Sequence, residues 1–100
     1  MSSTISVDRY VLDTLMRDLV GHDHRPSAFL VYAFLLGQGR TSLSHAAMAE
    51  AIGLSKRGVQ DALRHLERRG LIQVTRNGPT EPVTIDPLSP WRARNAPILP

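Results

Sequence analysis

Two helix signals meet within three residues near the middle of this 100-residue chain. Gly53 closes one apolar-periodic stretch and Ser55 opens the next, with only Leu54 between them. Glycine stops a helix because it enters the left-handed region without a Cβ penalty, and a serine hydroxyl caps one by accepting from an orphan backbone N–H. The spacing therefore reads as helix, three-residue turn, helix. Ser44 is the expected N-cap of the first helix, which runs to about Ala51 and turns Ala47, Met48, Ala51 and Ile52 inward. The second is capped by Ser55 and closed by Gly70, and Val59, Ala62, Leu63 and Leu66 give it an apolar stripe at helical spacing. Facing outward are Lys56, Arg57, Gln60, Asp61, Arg64 and Arg68. Gly58 stands in the first turn of this helix, where the cost of an interior glycine, about 1 kcal/mol against alanine, is reduced.

Upstream, Ser6–Val20 reads as an amphipathic helix with Val11, Leu12, Leu15, Met16 and Leu19 on its apolar side. Ser6 is its expected N-cap, Asp8 suits its first turn and Gly21 its end. Pro26 stands where a first helical residue tolerates proline. The segment it opens, Pro26–Leu36, is apolar on nearly every side and predicts a central buried helix, although a nine-residue apolar run also fits an interior strand. Thr41–Leu43 is either a short strand or an extended lead-in. Downstream the period changes to two: Ile72, Val74 and Arg76, then Val83 and Ile85, flank an Asn77-Gly78 pair. That predicts a β-hairpin with the tip NGPTE. Residues 87–100 carry several prolines and no period, so an irregular tail is expected, with Trp91 available to anchor it.

Composition narrows the function classes. Leu, Ile, Val and Phe fill 27 positions, enough for a real core, and the length suits a single domain spanning 1–100. With no cysteine, disulfides, thiol nucleophiles and cysteine-ligated zinc drop out. The longest apolar run has nine residues against the roughly 20 of a membrane span, and the first residues show no secretory pattern. A cytoplasmic protein is expected. Charge is unevenly spread: residues 1–53 hold four basic and five acidic residues, and residues 54–100 hold eight and four. Such asymmetry points the second half toward a polyanion.

Catalytic patterns do not stand out. His22-Asp23-His24 sits in one loop without a fourth ligand at a recognisable spacing and reads as a polar loop rather than a metal site. His45 and His65 are single residues on helix surfaces. No nucleophile–base ordering, phosphate-cradling glycine loop or paired carboxylates emerge, so neither an enzyme nor a cofactor is expected.

Thr41 to Gly78, TSLSHAAMAEAIGLSKRGVQDALRHLERRGLIQVTRNG, resembles the winged helix-turn-helix domain of bacterial transcriptional regulators of the MarR-like and GntR-like kind. The carrying residues are Met48-Ala49, Ile52-Gly53-Leu54-Ser55, Val59, Ala62-Leu63, Leu66 and Gly70-Leu71-Ile72. The resemblance covers roughly 41–85. Pro26–Leu36 matches the family's first helix in character, and Ser6–Val20 and the tail lie outside it. It implies a mainly α fold: a three-helix core plus a hairpin wing, here with an extra N-terminal helix. It further implies that the 55–69 helix enters the major groove of double-stranded DNA with the 71–85 hairpin as wing.

On that reading Ser55, Lys56, Arg57 and Gln60 lie near base edges, since Arg or Lys suits guanine and Gln suits adenine. Ser55 is a cap first. Arg64 and Arg68 meet phosphates, although a cation in the last helical turn, such as Arg68 or Arg69, also suits the helix dipole. Arg76 and Asn77 lie near a flanking minor groove or the backbone, with Asn77 a turn-former first. Ser44 and His45 offer donors to a phosphate. Gly58 departs from the family, where a bulkier residue, often threonine, is common; it removes a phosphate-binding hydroxyl or lets the backbone approach DNA or the preceding helix. A homodimer is expected, because two half-sites multiply contacts, with 6–20 as a candidate interface; that segment equally suits completing the monomer core. No small-molecule effector site is evident. Two other readings stay open: a plasmid or phage replication-initiation module, and a winged helix used only for protein contact.

Overall fold

A computed structural model describes residues 4–81 and 83–88. The proline-rich segment from 89 onward, Trp91 included, lies outside the described residues. Four helices and one hairpin are present among them: α1 (9–22), α2 (Pro26–Gln38), α3 (His45–Ile52), α4 (Lys56–Arg68), β1 (Ile72–Thr75) and β2 (Thr84–Pro87).

The helical hairpin forms as its caps dictate. Ser44 Oγ accepts from the Ala47 N–H at 3.1 Å, and Ser55 Oγ from the Gly58 N–H at 2.9 Å. Gly53 takes φ +91°, and Leu54 N–H reaches back to the Ala49 carbonyl at 3.0 Å. Gly70 repeats the device at the end of α4, with φ +73° and the Leu71 N–H on the Leu66 carbonyl at 2.9 Å. Both ends thus satisfy carbonyls that a helix C-terminus leaves open. In α4 the buried set is Val59, Ala62, Leu63 and Leu66, as the period requires. In α3 it is Met48 and Ala49, with Ile52 packed beside them; Ala51 is exposed, a correction to the expected inward set. On a 3.6-residue turn, 48, 49 and 52 share one side and 51 falls off it.

The central segment is a helix, not a strand, and α2 runs through Gly37 to Gln38 before Gly39 N–H closes on the Leu35 carbonyl. Ala28, Val31, Tyr32 and Leu35 are buried, while Leu30 remains half exposed. α1 departs from expectation in three ways. Its cap is Asp8 rather than Ser6: Asp8 Oδ1 accepts from the Tyr10 N–H at 2.9 Å. It passes Gly21 to His22, and the chain breaks away at His24, where φ is +57°. Two wide turns, Val11–Leu15 and Asp18–His22, alternate with ordinary ones. A repeat of four is longer than an α turn and shorter than a wide π turn, so the mixture holds Val11, Leu15 and Leu19 in one buried column. Leu12 and Met16, expected inward, form a neighbouring exposed column with Val20.

β1 and β2 pair antiparallel in the register Ile72 with Pro87 and Val74 with Ile85. The strands stop short of Arg76 and Val83, so the connection is longer than NGPTE, and Pro87 belongs to a strand rather than to the tail. Thr41 adds a short bridge, exchanging backbone hydrogen bonds with Ile85 at 2.9 and 2.7 Å. Tyr32 Oη donates to the Leu88 carbonyl at 2.7 Å and fastens the end of β2 to α2. Burial raises the Tyr32 hydroxyl above its ordinary pKa and keeps it a donor. One apolar core joins the helices and strands, from Val11, Leu15 and Leu19 through Tyr32 and Leu66 to Ile85. The arrangement is a winged helix-turn-helix with an additional N-terminal helix.

Candidate nucleic-acid interface

Because one face of α4 is committed to that core, the opposite face is held at a fixed height above it. Lys56, Arg57 and Arg64 are exposed there, and Gln60 and Asp61 are half-buried. Asp61 lies between two cations: Arg64 Nη2 donates to its Oδ1, and Arg57 Nε stands 3.9 Å from its Oδ2. Exposed pairs of this kind contribute only about 0–1 kcal/mol. They orient the guanidinium groups yet release them readily to a stronger anion.

Between α3, the start of α4 and the hairpin connection lies a cleft of about 420 Å³ whose walls include Ser44, His45, Lys56, Gln60 and Glu81. Alongside it, a second hollow of about 330 Å³ between α4 and the hairpin is bounded by His45, Gln60, Arg64, Glu67 and Arg76. His45 and Gln60 belong to both, and Gln60 Nε2 donates to His45 Nδ1 at 3.3 Å. Burial, reinforced by the Lys56 ammonium, lowers the His45 pKa below that of a free imidazole. Arg76 Nη1 is 3.9 Å from Glu67 Oε2, linking the hairpin to α4.

The folded chain thus gathers six of the residues singled out in the sequence, Ser44, His45, Lys56, Gln60, Arg64 and Arg76, around one groove. Ser55 and Arg57 line neither hollow: Ser55 caps α4 with its side-chain oxygen, and Arg57 is exposed one residue beyond Lys56. Asn77 Nδ2 donates to Thr84 Oγ1 at 2.9 Å across the hairpin, which makes it a turn-stabilising residue. Arg68 sits apart at the far end of α4, its Nη2 on His65 Nδ1 at 3.3 Å. Gly58 adjoins neither α3 nor the groove: a Cβ there would lie 3.1 Å from Ser55 Oγ and 3.9 Å from Leu54 Cβ. What the glycine leaves room for is the cap.

Sequence reasoning missed a second charged cluster at the other end of α4. Arg69 donates to Asp18 through Nη2 and to Asp23 through Nη1, joining the end of α4 to the end of α1. Asp23 also takes hydrogen bonds from His65 Nε2 at 2.8 Å and His22 Nδ1 at 2.9 Å. Burial alone would raise the Asp23 pKa, but the His22 and His65 hydrogen bonds and the Arg69 charge outweigh it and hold it at about 2. Hydrogen bonding to Asp23 raises the His22 pKa. Asp18, His22 and Asp23 place potential ligand atoms within 4.8 Å of one another, but Arg69 already occupies both carboxylates. Apart from the neighbouring His22, the partners are 42 to 51 residues apart in sequence, beyond the reach of any local pattern.

Among the described residues, no helix is long and apolar enough to cross a membrane. Comparison with curated proteins and with solved structures found no match. The Crp-like helix-turn-helix domain family matches residues 15–87, which takes in the second half of α1, all of α2 to α4 and the hairpin. The match is therefore broader than the 41–85 stretch legible from the motif. With its helical pair, hairpin and exposed basic helix face inside that match, the chain belongs to the Crp-like helix-turn-helix domain family, a family of DNA-binding domains.

Proposed function

We propose that the protein is a sequence-specific binder of double-stranded DNA that regulates transcription by occupying an operator, with α4 in the major groove and the hairpin as wing. The observation that carries this reading is the outer face of α4: Lys56, Arg57, Gln60 and Arg64 project from a helix whose other face is buried. A helix entering the major groove with its N-terminal residues foremost brings Lys56, Arg57 and Gln60 to base edges. Arg57 and Lys56 would take guanine and Gln60 adenine, while Arg64, with Arg76 of the wing, would meet phosphates and set the register. Ser44 would add a hydroxyl to the backbone beside them. Arg68 plays a lesser part, and Asn77 shapes the wing.

The same reading takes the protein as a homodimer. The exposed column Leu12, Met16 and Val20 on α1 lies at i, i+4 and i+8 and supports a helix-to-helix contact between two copies. Selection of bound sequences from a random duplex pool tests the proposal. A recovered site with two inverted halves is the expected result; recovery of no preferred sequence would sink the reading as a specific regulator. The groove itself favours DNA over a purely protein-binding role, since among the described residues Arg64 pairs with the half-buried Asp61 and Arg76 stands 3.9 Å from the exposed Glu67.

A further inference from the structure

The contact between His45 and Gln60 bridges the two helices of the motif at the point where the base-reading side chain emerges, fifteen residues apart in sequence. An amide nitrogen can only donate, so Nδ1 of His45 must accept, and the neutral ring carries its proton on Nε2. With the ring in that tautomer the Gln60 nitrogen faces Nδ1, which leaves the carboxamide oxygen and the second N–H as an acceptor–donor pair for a base edge in the groove that Gln60 lines. That pair matches adenine, whose N6 amino group donates and whose N7 accepts.

We propose that His45 is a positioning residue for base recognition, fixing the Gln60 carboxamide in the orientation that reads adenine, and that protonation of its ring abolishes this preference. The inference rests on the reading in which Gln60 meets base edges. A protonated imidazole donates from both nitrogens, so the carboxamide must turn over and present its oxygen to Nδ1. The amide N–H then faces the adenine amino group, donor against donor. The charged groups lining the two hollows around the ring are Lys56, Arg64 and Glu67 of α4, Glu81 of the hairpin connection, and Arg76 beyond β1. Burial of the ring and, of these charges, the Lys56 ammonium favour its neutral form and lower its pKa. The arrangement also sets His45 apart from a simple phosphate contact: only its Nε2–H is left to donate outward.

The test uses the full chain, the duplex recovered from the random pool, and duplexes in which each position of it is changed in turn. At pH 7.5 the parent should favour adenine at one position of each half-site by about tenfold or more. His45→Ala should reduce that preference at least about fivefold while leaving preferences at the other positions unchanged. In His45→Asn the side-chain oxygen replaces Nδ1 as acceptor, so the preference should be restored. In the parent the preference should fade as pH drops from 7.5 to 5, and in His45→Asn it should not. Full preference in His45→Ala, or a pH profile shared by the parent and His45→Asn, overturns the proposal. Gln60→Ala separates the two levels. If it changes no base preference, the reading of Gln60 fails and the inference with it. If it erases the adenine preference while His45→Ala does not, only the positioning role fails.

Discussion

Arg64 and Arg69 carry the same guanidinium group at nearly the same place in the chain, yet their side chains are 67% and 33% exposed. Arg64 lies against one acid on its own helix, Asp61, whereas Arg69 reaches two acids from α1 and shares Asp23 with His65 and His22. The difference teaches that a basic helix is not one functional object. The outward face of α4 keeps Arg57 and Arg64 weakly paired and available to an external anion. The last turn spends its cation on joining α4 to α1, and hydrogen bonding to Asp18 raises the Arg69 pKa further. Charge counting along the sequence gives both arginines the same weight; only the partners distinguish a weakly held cation from an anchor.

Breaking the anchor should have the largest effect. Asp23→Ala strands donors from His65, Arg69 and His22 and should lower stability by about 2–3 kcal/mol in urea unfolding. The salt dependence of DNA affinity of the folded variant should stay as in the parent. The same carboxylate gives acid sensitivity a definite sign. Its folded value of about 2 lies below the ordinary 3.8, so its contribution is complete above the ordinary value and is lost as the pH falls through about 2. Acid unfolding of Asp23→Ala should therefore lack this component.

At the other end of α4 the expected effects move from stability to binding. Arg57→Ala should lose about 1–3 kcal/mol on the preferred duplex and relax specificity at one position, with an unchanged unfolding midpoint. Arg64→Ala should weaken all sequences alike and reduce the slope of log affinity against log salt by about 1, read by anisotropy titration. An Arg64→Ala variant that unfolded early would blur the contrast with Arg69. The smallest effect belongs to Gly58→Ala, which gains helix propensity but crowds the Ser55 cap oxygen. Its stability should shift by less than about 1 kcal/mol.

What the sequence revealed follows the range of the interactions. Ser44, Gly53, Ser55 and Gly70 act within five residues, so their helix ends were legible directly. The α4 stripe was legible because its burial follows a single period. In α1 the period misled: Leu12 and Met16 fit an α-helical stripe, but the wide turns bring only the 11, 15 and 19 column inward. The Asp23 cluster and the His45–Gln60 contact depend on how helices are placed in space, and no spacing along the chain encodes them. The candidate groove was legible as a set of residues, while which of them are already engaged was not.

The central claim is that the start of α4 meets DNA, and it is tested most directly by the Arg57→Ala/Arg64→Ala double variant. Its affinity for the selected duplex should be measured beside the parent's by fluorescence anisotropy across low to moderate salt. The account predicts a parent affinity that falls by orders of magnitude over that range. The double variant should bind more weakly at every salt concentration, with a visibly shallower slope and an unchanged unfolding curve. A double variant that bound like the parent, or a parent indifferent to salt, would contradict the account and leave protein contact as the use of this surface.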